Sequence, residues 1–251
     1  MAPMSMEAVK QSAGRSNFGA HNARSGSSPK EQVVNPDGKW MGRSVGAVHI
    51  HLRPYQKEAK KEILKSWSDP ERGNRVLLCL PTAAGKTIVF ANVIKEVIKR
   101  KRNRVLILAH RTELLTQAAD KLKMACQIES FFEHGSSTAN GLDPAPQVVI
   151  ASIQGLSRDK RLESFPSDFF THIIIDEAHH CLAPTYRKVI NYFEDAKLLG
   201  VTATPNRQDN RTLAEIFDGI AYEYSIAEAI RDFSFFNLCN IFYLIHFQVI
   251  V

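Results

Sequence analysis

The octapeptide Leu80-Pro81-Thr82-Ala83-Ala84-Gly85-Lys86-Thr87 decides the fold of this chain. The apolar run before it, residues 76–80, predicts a buried parallel strand, and apolar residues recur at helical spacing in residues 87–99. A strand, a short loop of small residues and a helix that begins at Gly-Lys-Thr are typical of a phosphate-binding loop. The sequence therefore predicts an α/β fold with a polyphosphate site after an early strand.

Each part of this loop suits a phosphate chain. Small residues let backbone N–H groups close around it, and the helix start adds about half a positive charge. Lys86 can reach the β- and γ-phosphates, and the Thr87 hydroxyl can ligate Mg²⁺. The pattern is incomplete, because Leu80 occupies the first glycine position and Ala83 stands where glycine would be unsurprising. Alanine tolerates a positive φ poorly. The alternative is that Gly-Lys-Thr stands at a helix start by chance and binds no phosphate.

A second motif joins the β-branched run 173–175 to Asp176, Glu177, Ala178 and His179. The run predicts a strand buried on both faces. Because open α/β sheets bind ligands at the carboxyl ends of their strands, we expect Asp176 beside the phosphate loop, where it can hold Mg²⁺ directly or through water. Glu177 can then deprotonate the attacking water. Together the motifs predict an ATP site, and a solvated acidic pair is the alternative.

Composition narrows the class of protein. The 251 residues are 44% hydrophobic, enough for one large domain or two small ones. The net charge of +6 permits a polyanionic partner without requiring one. The four cysteines are scattered with no C-x-x-C pair, which argues against a disulfide framework or structural zinc. Residues 1–30 contain no apolar stretch typical of a secretory signal. We therefore predict an intracellular, cytoplasmic protein.

Three segments are expected. Residues 1–47 are rich in small and polar residues and predict a disordered tail, with a mitochondrial transit peptide as the alternative. Residues 48–232 form the predicted domain. Residues 233–251 are apolar and carry no charged residue. This last stretch fits a membrane anchor poorly because it contains Asn, His and Gln, so we expect no anchor. A core strand pair and a frame-shifted or prematurely ended reading are the other interpretations.

Within the predicted domain, strands and helices alternate. A helix is expected to begin at Pro54, and further strands are predicted at 105–109, 148–152 and 197–201. A surface loop is predicted over 132–147 and a final helix near 211–217. Five or more strands joined through helices indicate a mostly parallel, helix-covered sheet.

Six motifs now occur in a fixed order. They are Leu52-Arg-Pro-Tyr-Gln56, Pro81-Thr-Ala-Ala-Gly-Lys-Thr87, Ala109-His-Arg-Thr-Glu-Leu-Leu115, Ala151-Ser-Ile-Gln154, Asp176-Glu-Ala-His179 and Thr202-Ala-Thr204. The set resembles the first RecA-like domain of superfamily 2 helicases, of the DEAD/DEAH-box class, in the branch related to type III restriction-enzyme helicase subunits. The resemblance covers roughly residues 50 to 230 and implies a single RecA-like P-loop domain.

The resemblance assigns roles around the nucleotide. Gln56, with Arg53 nearby, would read adenine, which suits a side-chain amide because it offers a donor and an acceptor. The residues expected to hold the phosphates are Leu80, Pro81, Thr82, Ala83, Ala84, Gly85, Lys86 and Thr87. Thr87 and Asp176 would bind Mg²⁺. Glu177, assisted by Lys86 and Asp176, would carry the hydrolysis.

The resemblance also implies a nucleic-acid partner. His179, Thr202 and Thr204 would couple nucleotide state to nucleic-acid binding. Contacts to the sugar–phosphate backbone would come from Arg111, Gln117, Ser152 and Gln154. A translocating motor must grip phosphates without reading bases, so contacts of this kind are reasonable. For Gln117 a plain helix-surface role is an equal alternative. DNA is favoured over RNA by the family branch alone.

Helicases of this class use a second RecA-like domain that supplies arginine fingers. The stretch after Pro205 is too short for such a domain and carries no paired-arginine motif. Because losing an arginine finger costs about 10³–10⁵ in rate, we expect this chain alone to bind ATP, hydrolyse it poorly and not unwind. The alternative is a truncated, non-catalytic module that binds nucleotide or nucleic acid.

Overall fold

The computed structural model describes residues 51–110, 112–133, 138–203 and 213–232, with the side chains of 112–115 left out. The predicted tails 1–47 and 233–251 lie outside these residues, and so do Arg111 and Thr204. The described residues all belong to one unit, residues 32–251.

Seven strands form one sheet in the order β3-β4-β2-β5-β6-β1-β7, and every neighbouring pair is parallel. The expected mostly parallel sheet is therefore confirmed. The strands are β1 (Arg75–Cys79), β2 (Val105–Ala109), β3 (Phe131–Glu133), β4 (Val148–Ser152), β5 (His172–Asp176), β6 (Lys197–Thr202) and β7 (Gly219–Glu223).

Helices connect the strands. They are α1 (Pro54–Ser66), α2 (Lys86–Val97), α3 (Thr112–Cys126), α4 (Ile153–Leu156), α5 (Asp159–Leu162), α6 (Pro184–Tyr192) and α7 (Ile226–Arg231), with 3₁₀ turns at Pro70–Arg72 and Ala178–Leu182. Proline occupies the first position of α1 and of α6, where its missing N–H has no helical partner to lose.

Alternate residues of the central strands enter two different hydrophobic cores. Val76 and Leu78 of β1 pack on the face that α1, α2 and α3 cover, whereas Leu77 and Cys79 pack on the face that α4 and α6 cover. Both faces are buried because successive side chains in a strand point to opposite sides. This double burial explains the unbroken apolar runs that identified the strands in the sequence.

The two edge strands were not predicted. Phe132 and Glu133 belong to β3, so the predicted loop over 132–147 begins too early. Strand β3 has only three residues, too short to produce a recognisable alternation. Strand β7 is largely exposed and carries Gly219 and Ala221, so it lacks the apolar run of a central strand.

The predicted final helix near 211–217 is only partly described. Residues 214–216 form a turn, and residues 211–212 lie outside the described part.

Two further findings concern cysteines and membranes. Cys79, Cys126 and Cys181 are free thiols and are buried. Across the described part of the chain, no cluster of three or more His, Cys, Asp or Glu side chains suits a metal ion. No described helix has the length and apolar character needed to cross a membrane.

Candidate functional site

The strand order brings the two predicted nucleotide motifs together. Strand β6 lies between β1, which leads into the phosphate loop, and β5, which leads into the acidic turn. At the end of β6, Thr202 is buried, and its carbonyl accepts a hydrogen bond of 3.1 Å from the Leu80 N–H. Thr202 therefore lies between the two motifs, and its role in coupling stays a prediction.

The phosphate loop contains two residues in the left-handed region. Gly85, the residue before α2, has φ 81°, and Ala83 has φ 65°. Alanine thus takes a conformation that glycine favours, at a cost of about 1–2 kcal/mol. The Ala83 irregularity noticed in the sequence therefore corresponds to real backbone strain, and the surrounding structure holds the loop in this conformation.

Helix α1 provides part of that support. The Tyr55 hydroxyl and the Gln56 side-chain amide both donate to the Ala84 carbonyl, at 2.8 and 3.0 Å. The Gln56 amide oxygen accepts from the Arg53 N–H at 3.0 Å. Gln56 is only 6% exposed, so it is not a surface glutamine. One N–H and one lone pair remain for a ligand, and a role in reading adenine stays a prediction.

A stacked tyrosine pair lies behind this anchor. The Tyr55 and Tyr224 rings are 4.2 Å apart and nearly parallel. Tyr224 donates its hydroxyl to Asp232 at 2.7 Å, and its N–H donates to the Cys79 carbonyl at 3.0 Å. Sequence reasoning missed Tyr224, because nothing near it in the chain indicates a partner in α1.

The acidic turn reaches the phosphate loop directly. Lys86 Nζ lies 3.3 Å from Glu177 Oε1. Glu177 itself has φ 57°, another left-handed non-glycine residue, and its N–H donates to Asp176 Oδ1 at 3.1 Å. His179 Nδ1 lies 3.5 Å from the second Glu177 oxygen. In the structure, Asp176 and Glu177 therefore lie close to the phosphate loop, as expected.

Asp176 carries a half-buried carboxyl group at the end of β5. Burial is the main cause that raises its pKa above the usual range, and the neighbouring Glu177 charge adds to the effect. Lys86 and Lys121 oppose this shift without cancelling it. A cation beside Asp176 would stabilise the ionised form, so the donor set fits a hard dication such as Mg²⁺. The Thr87 hydroxyl can supply the second protein oxygen ligand to such a cation.

A cavity of about 390 Å³ opens beside the phosphate loop. Its lining consists of Ala83, Gly85, Lys86, Thr87, Ile88, Lys121 and Met124. The last two belong to α3, which packs against α2, and they were not predicted. A lysine on a helix surface carries no sequence signal for a ligand, so only the packing of α3 reveals that Lys121 faces the phosphate loop.

The predicted nucleic-acid residues are only partly brought together. Ser152 and Gln154 lie beside His110, since Ala109 at the end of β2 pairs with Ser152 at the end of β4. Gln154 Nε2 is 3.4 Å from His110 Nδ1. Ser152 accepts a hydrogen bond from the Gly155 N–H at 3.2 Å and so caps α4. Gln117 is exposed on α3, and no contact joins it to this group among the described residues.

A parallel sheet covered by helices, a phosphate loop after β1 and an Asp-Glu-Ala-His turn after β5 define a helicase-type module of the RecA-like fold. The sequence matches the family described as "Type III restriction enzyme, res subunit" over residues 49–207. The chain belongs to this family, as the six motifs predicted.

A curated relative agrees with this family assignment. The chain is 32% identical over 192 residues to the "Putative mitochondrial ATP-dependent helicase irc3" of Schizosaccharomyces pombe, a match that covers 73% of the chain and 31% of that relative. The chain thus spans under a third of that protein's length.

Solved structures share the fold. The helicase domain of Pyrococcus furiosus Hef is 20% identical with a TM-score of 0.57, covering 69% of this chain and 38% of that one. The "ATP-dependent Type ISP restriction-modification enzyme LlaBIII bound to DNA" is 18% identical with a TM-score of 0.58, covering 73% and 16%. Both confirm the predicted fold class.

Proposed function

We propose that this chain is the ATP-binding module of an ATP-dependent nucleic-acid helicase or translocase and that it holds ATP together with Mg²⁺. The observation that carries the proposal is the 3.3 Å ion pair between Lys86 and Glu177. It joins the phosphate loop after β1 to the acidic turn after β5. A phosphate chain bound by Lys86 is therefore within reach of a carboxylate that can accept a proton.

Each residue has a defined task in this proposal. Backbone N–H groups of the loop and the start of α2 bind the phosphates, and Lys86 exchanges Glu177 for a phosphate oxygen. Glu177, released from Lys86, orients the attacking water and receives its proton. Thr87 and Asp176 would hold Mg²⁺, whose charge offsets the negative charge of the phosphates. Lys121 adds a second positive charge to the same cavity.

The nucleic-acid partner is proposed to be DNA. One support is the resemblance of Ser152, which ends β4, and Gln154, which follows it in α4, to positions that contact the sugar–phosphate backbone. A second is the family to which the chain belongs, whose fold neighbour LlaBIII is described as bound to DNA. Binding through phosphates predicts weak base preference and strong salt dependence.

A non-catalytic binding module is the second candidate. The described lining of the nucleotide cavity contains two lysines and no arginine. Arginine fingers contribute about 10³–10⁵ to the rate of phosphoryl transfer. We therefore expect nucleotide binding with a turnover well below about one per second from the chain by itself.

One experiment tests the proposal. Titration of the full chain with a fluorescent ATP analogue should show Mg²⁺-dependent binding, and Lys86→Ala should weaken it at least about tenfold. Lys95→Ala is the matched control, because Lys95 is exposed on the same helix. If Lys86→Ala binds the analogue as well as Lys95→Ala does, the proposed site is contradicted.

The substrate is tested with the same protein. Labelled single-stranded DNA and RNA of equal sequence are compared for affinity and for stimulation of hydrolysis at two salt concentrations. We expect DNA to bind more tightly and its affinity to fall steeply with salt. Equal affinity for both, or RNA preference, would overturn the choice of DNA. Stimulated hydrolysis favours the enzyme, and binding without hydrolysis favours the second candidate.

An intracellular location is part of the proposal. The cysteine pattern supports it, and the Schizosaccharomyces pombe relative carries "mitochondrial" in its name. A fusion of residues 1–50 to the front of a fluorescent protein distinguishes the cytoplasm from mitochondria. Diffuse signal supports the cytoplasm, and signal in mitochondria supports the transit-peptide alternative.

A further inference from the structure

Three imidazole rings form a continuous contact between the acidic turn and the end of β2. His179 Nδ1 is 3.5 Å from Glu177 Oε2. The His179 and His180 ring centroids are 4.1 Å apart, and His180 stacks on His110 at 4.8 Å with an interplanar angle of 22°. Residues from two separate strand ends therefore meet through their rings.

The contact continues to a third strand end. Gln154 follows β4, and its Nε2 lies 3.4 Å from His110 Nδ1. Strand β2 lies between β4 and β5 in the sheet, so His110 bridges the turn after β5 and the start of α4. At one end of this path is the carboxylate proposed to activate water, and at the other is a proposed nucleic-acid contact.

The turn that carries His180 also determines the position of Glu177. The His180 N–H donates to the Glu177 carbonyl at 3.0 Å, within the 3₁₀ turn Ala178–Leu182. Glu177 has a left-handed backbone, a conformation that persists only where neighbouring contacts hold it. Cys181, the next residue of the turn, is fully buried. His180 and Glu177 are therefore held in one turn by a backbone hydrogen bond.

We propose that His110 and His180 are positioning residues that couple occupancy at Gln154 to the placement of Glu177. This inference rests on the proposed function, because it needs both a nucleotide and a nucleic-acid ligand. Nucleic acid at Gln154 shifts His110, the stacked His180 follows, and the turn moves the carboxylate relative to Lys86. Neither histidine touches the reacting atoms.

Coupling of two binding sites is measured as a ratio of affinities, and it acts equally in both directions. The affinity of the full chain for a labelled oligo-dT is determined without nucleotide and with a non-hydrolysable ATP analogue plus Mg²⁺. The same ratio is measured for His110→Ala, His180→Ala and the double variant. His110→Phe retains an aromatic ring for stacking and serves as the conservative variant.

The proposal expects a ratio of about 5 or more in the unmodified chain and a ratio near one in each alanine variant. The double variant should equal either single variant, because both residues serve one contact. His110→Phe keeps a ring for the stack on His180 but lacks the Nδ1 atom that contacts Gln154, so it should restore only part of the coupling. A loss of general stability would not explain such a partial recovery. Affinity for each ligand alone should change less than about threefold.

Three other outcomes are distinguishable. If the unmodified chain fails to bind oligo-dT, the nucleic-acid part of the proposed function fails and this inference fails with it. If the unmodified chain binds both nucleotide and oligo-dT with no mutual effect, nucleic-acid binding stands and this inference alone fails. If the unmodified chain shows coupling that persists in both alanine variants, or if their effects multiply in the double variant, the proposed function stands and the role of the histidine stack is refuted.

Discussion

Lys86 Nζ and Glu177 Oε1 lie 3.3 Å apart although 91 positions separate the two residues in the chain. Lys86 is 13% exposed and Glu177 is 35% exposed, so the pair is partly shielded from water. The lysine expected to bind phosphate is thus paired with the carboxylate expected to activate water. A phosphate chain must replace Glu177 as the partner of Lys86.

The Glu177→Gln variant should bind the ATP analogue more tightly than the unmodified chain, by about threefold to tenfold, because Lys86 no longer has to leave a carboxylate. Hydrolysis should fall below detection, because glutamine cannot accept the proton. Titration with the fluorescent analogue and a phosphate-release assay measure the two effects. Glu194→Gln, at an exposed position after α6, is the control and should change neither. Weaker nucleotide binding in Glu177→Gln would contradict this account of the ion pair.

The Gly85→Ala variant should lose nucleotide affinity by at least about tenfold. A Cβ at Gly85 would lie 2.5 Å from Gln56 Nε2 and would have to adopt φ +81°, so the loop and its anchor must both shift. Gly141→Ala is a matched control, since Gly141 also has a positive φ of +96° but nothing within 4 Å of the added atom. The control should lose stability but should keep its nucleotide affinity. If both variants bind nucleotide with equal affinity, the close approach of Gln56 to Gly85 is unimportant for nucleotide binding.

The Tyr55→Phe variant should lower the free energy of unfolding by about 1 kcal/mol and also weaken nucleotide binding, because the Ala84 carbonyl keeps only its Gln56 partner. Tyr192→Phe provides the comparison. The Tyr192 hydroxyl donates to the Phe165 carbonyl at 2.6 Å, remote in sequence from the phosphate loop. Urea unfolding should register a similar loss in both variants. Nucleotide titration should register a loss in Tyr55→Phe alone, and an unchanged affinity there would remove Tyr55 from the support of the loop.

His172 should make the stability of the protein depend on pH. Burial, with a smaller contribution from the Lys197 charge, lowers the pKa of His172 from 6.5 to about 4. Between these values the unfolded chain binds a proton that the folded chain cannot, so the stabilisation is complete above pH 6.5 and is lost as the pH falls toward 4. We expect a loss of about 2 kcal/mol between about pH 8 and pH 5.

Urea unfolding at several pH values measures this loss. His172→Phe retains an aromatic partner for Trp67, whose ring lies 4.9 Å away, and removes the titrating group. The remaining histidines are common to both proteins, so the difference between their pH profiles belongs to His172. Parallel profiles would exclude a role for this residue in the pH dependence.

The sequence alone determined the central fold and the chemical centre of the site. Strands β1, β2, β4, β5 and β6 were predicted because burial on both faces requires apolar runs that can be read locally. The phosphate loop was predicted because its backbone cradle and its lysine lie within a few residues of each other. The Asp176-Glu177 pair was predicted because its two carboxylates directly follow an apolar run. Their proximity followed from the rule that ligands bind at the carboxyl ends of parallel strands.

Only the tertiary structure decided the sheet edges and the contacts around the site. Strands β3 and β7 carry weak local patterns and are strands only because β4 and β1 pair with them. Tyr224 behind Tyr55, Lys121 in the cavity beside the phosphate loop and His180 against His110 are joined across long stretches of chain. The physical reason is the same in each case: a sequence pattern reports the periodicity of its own segment, whereas the partner of a side chain is determined by the packing of the whole fold.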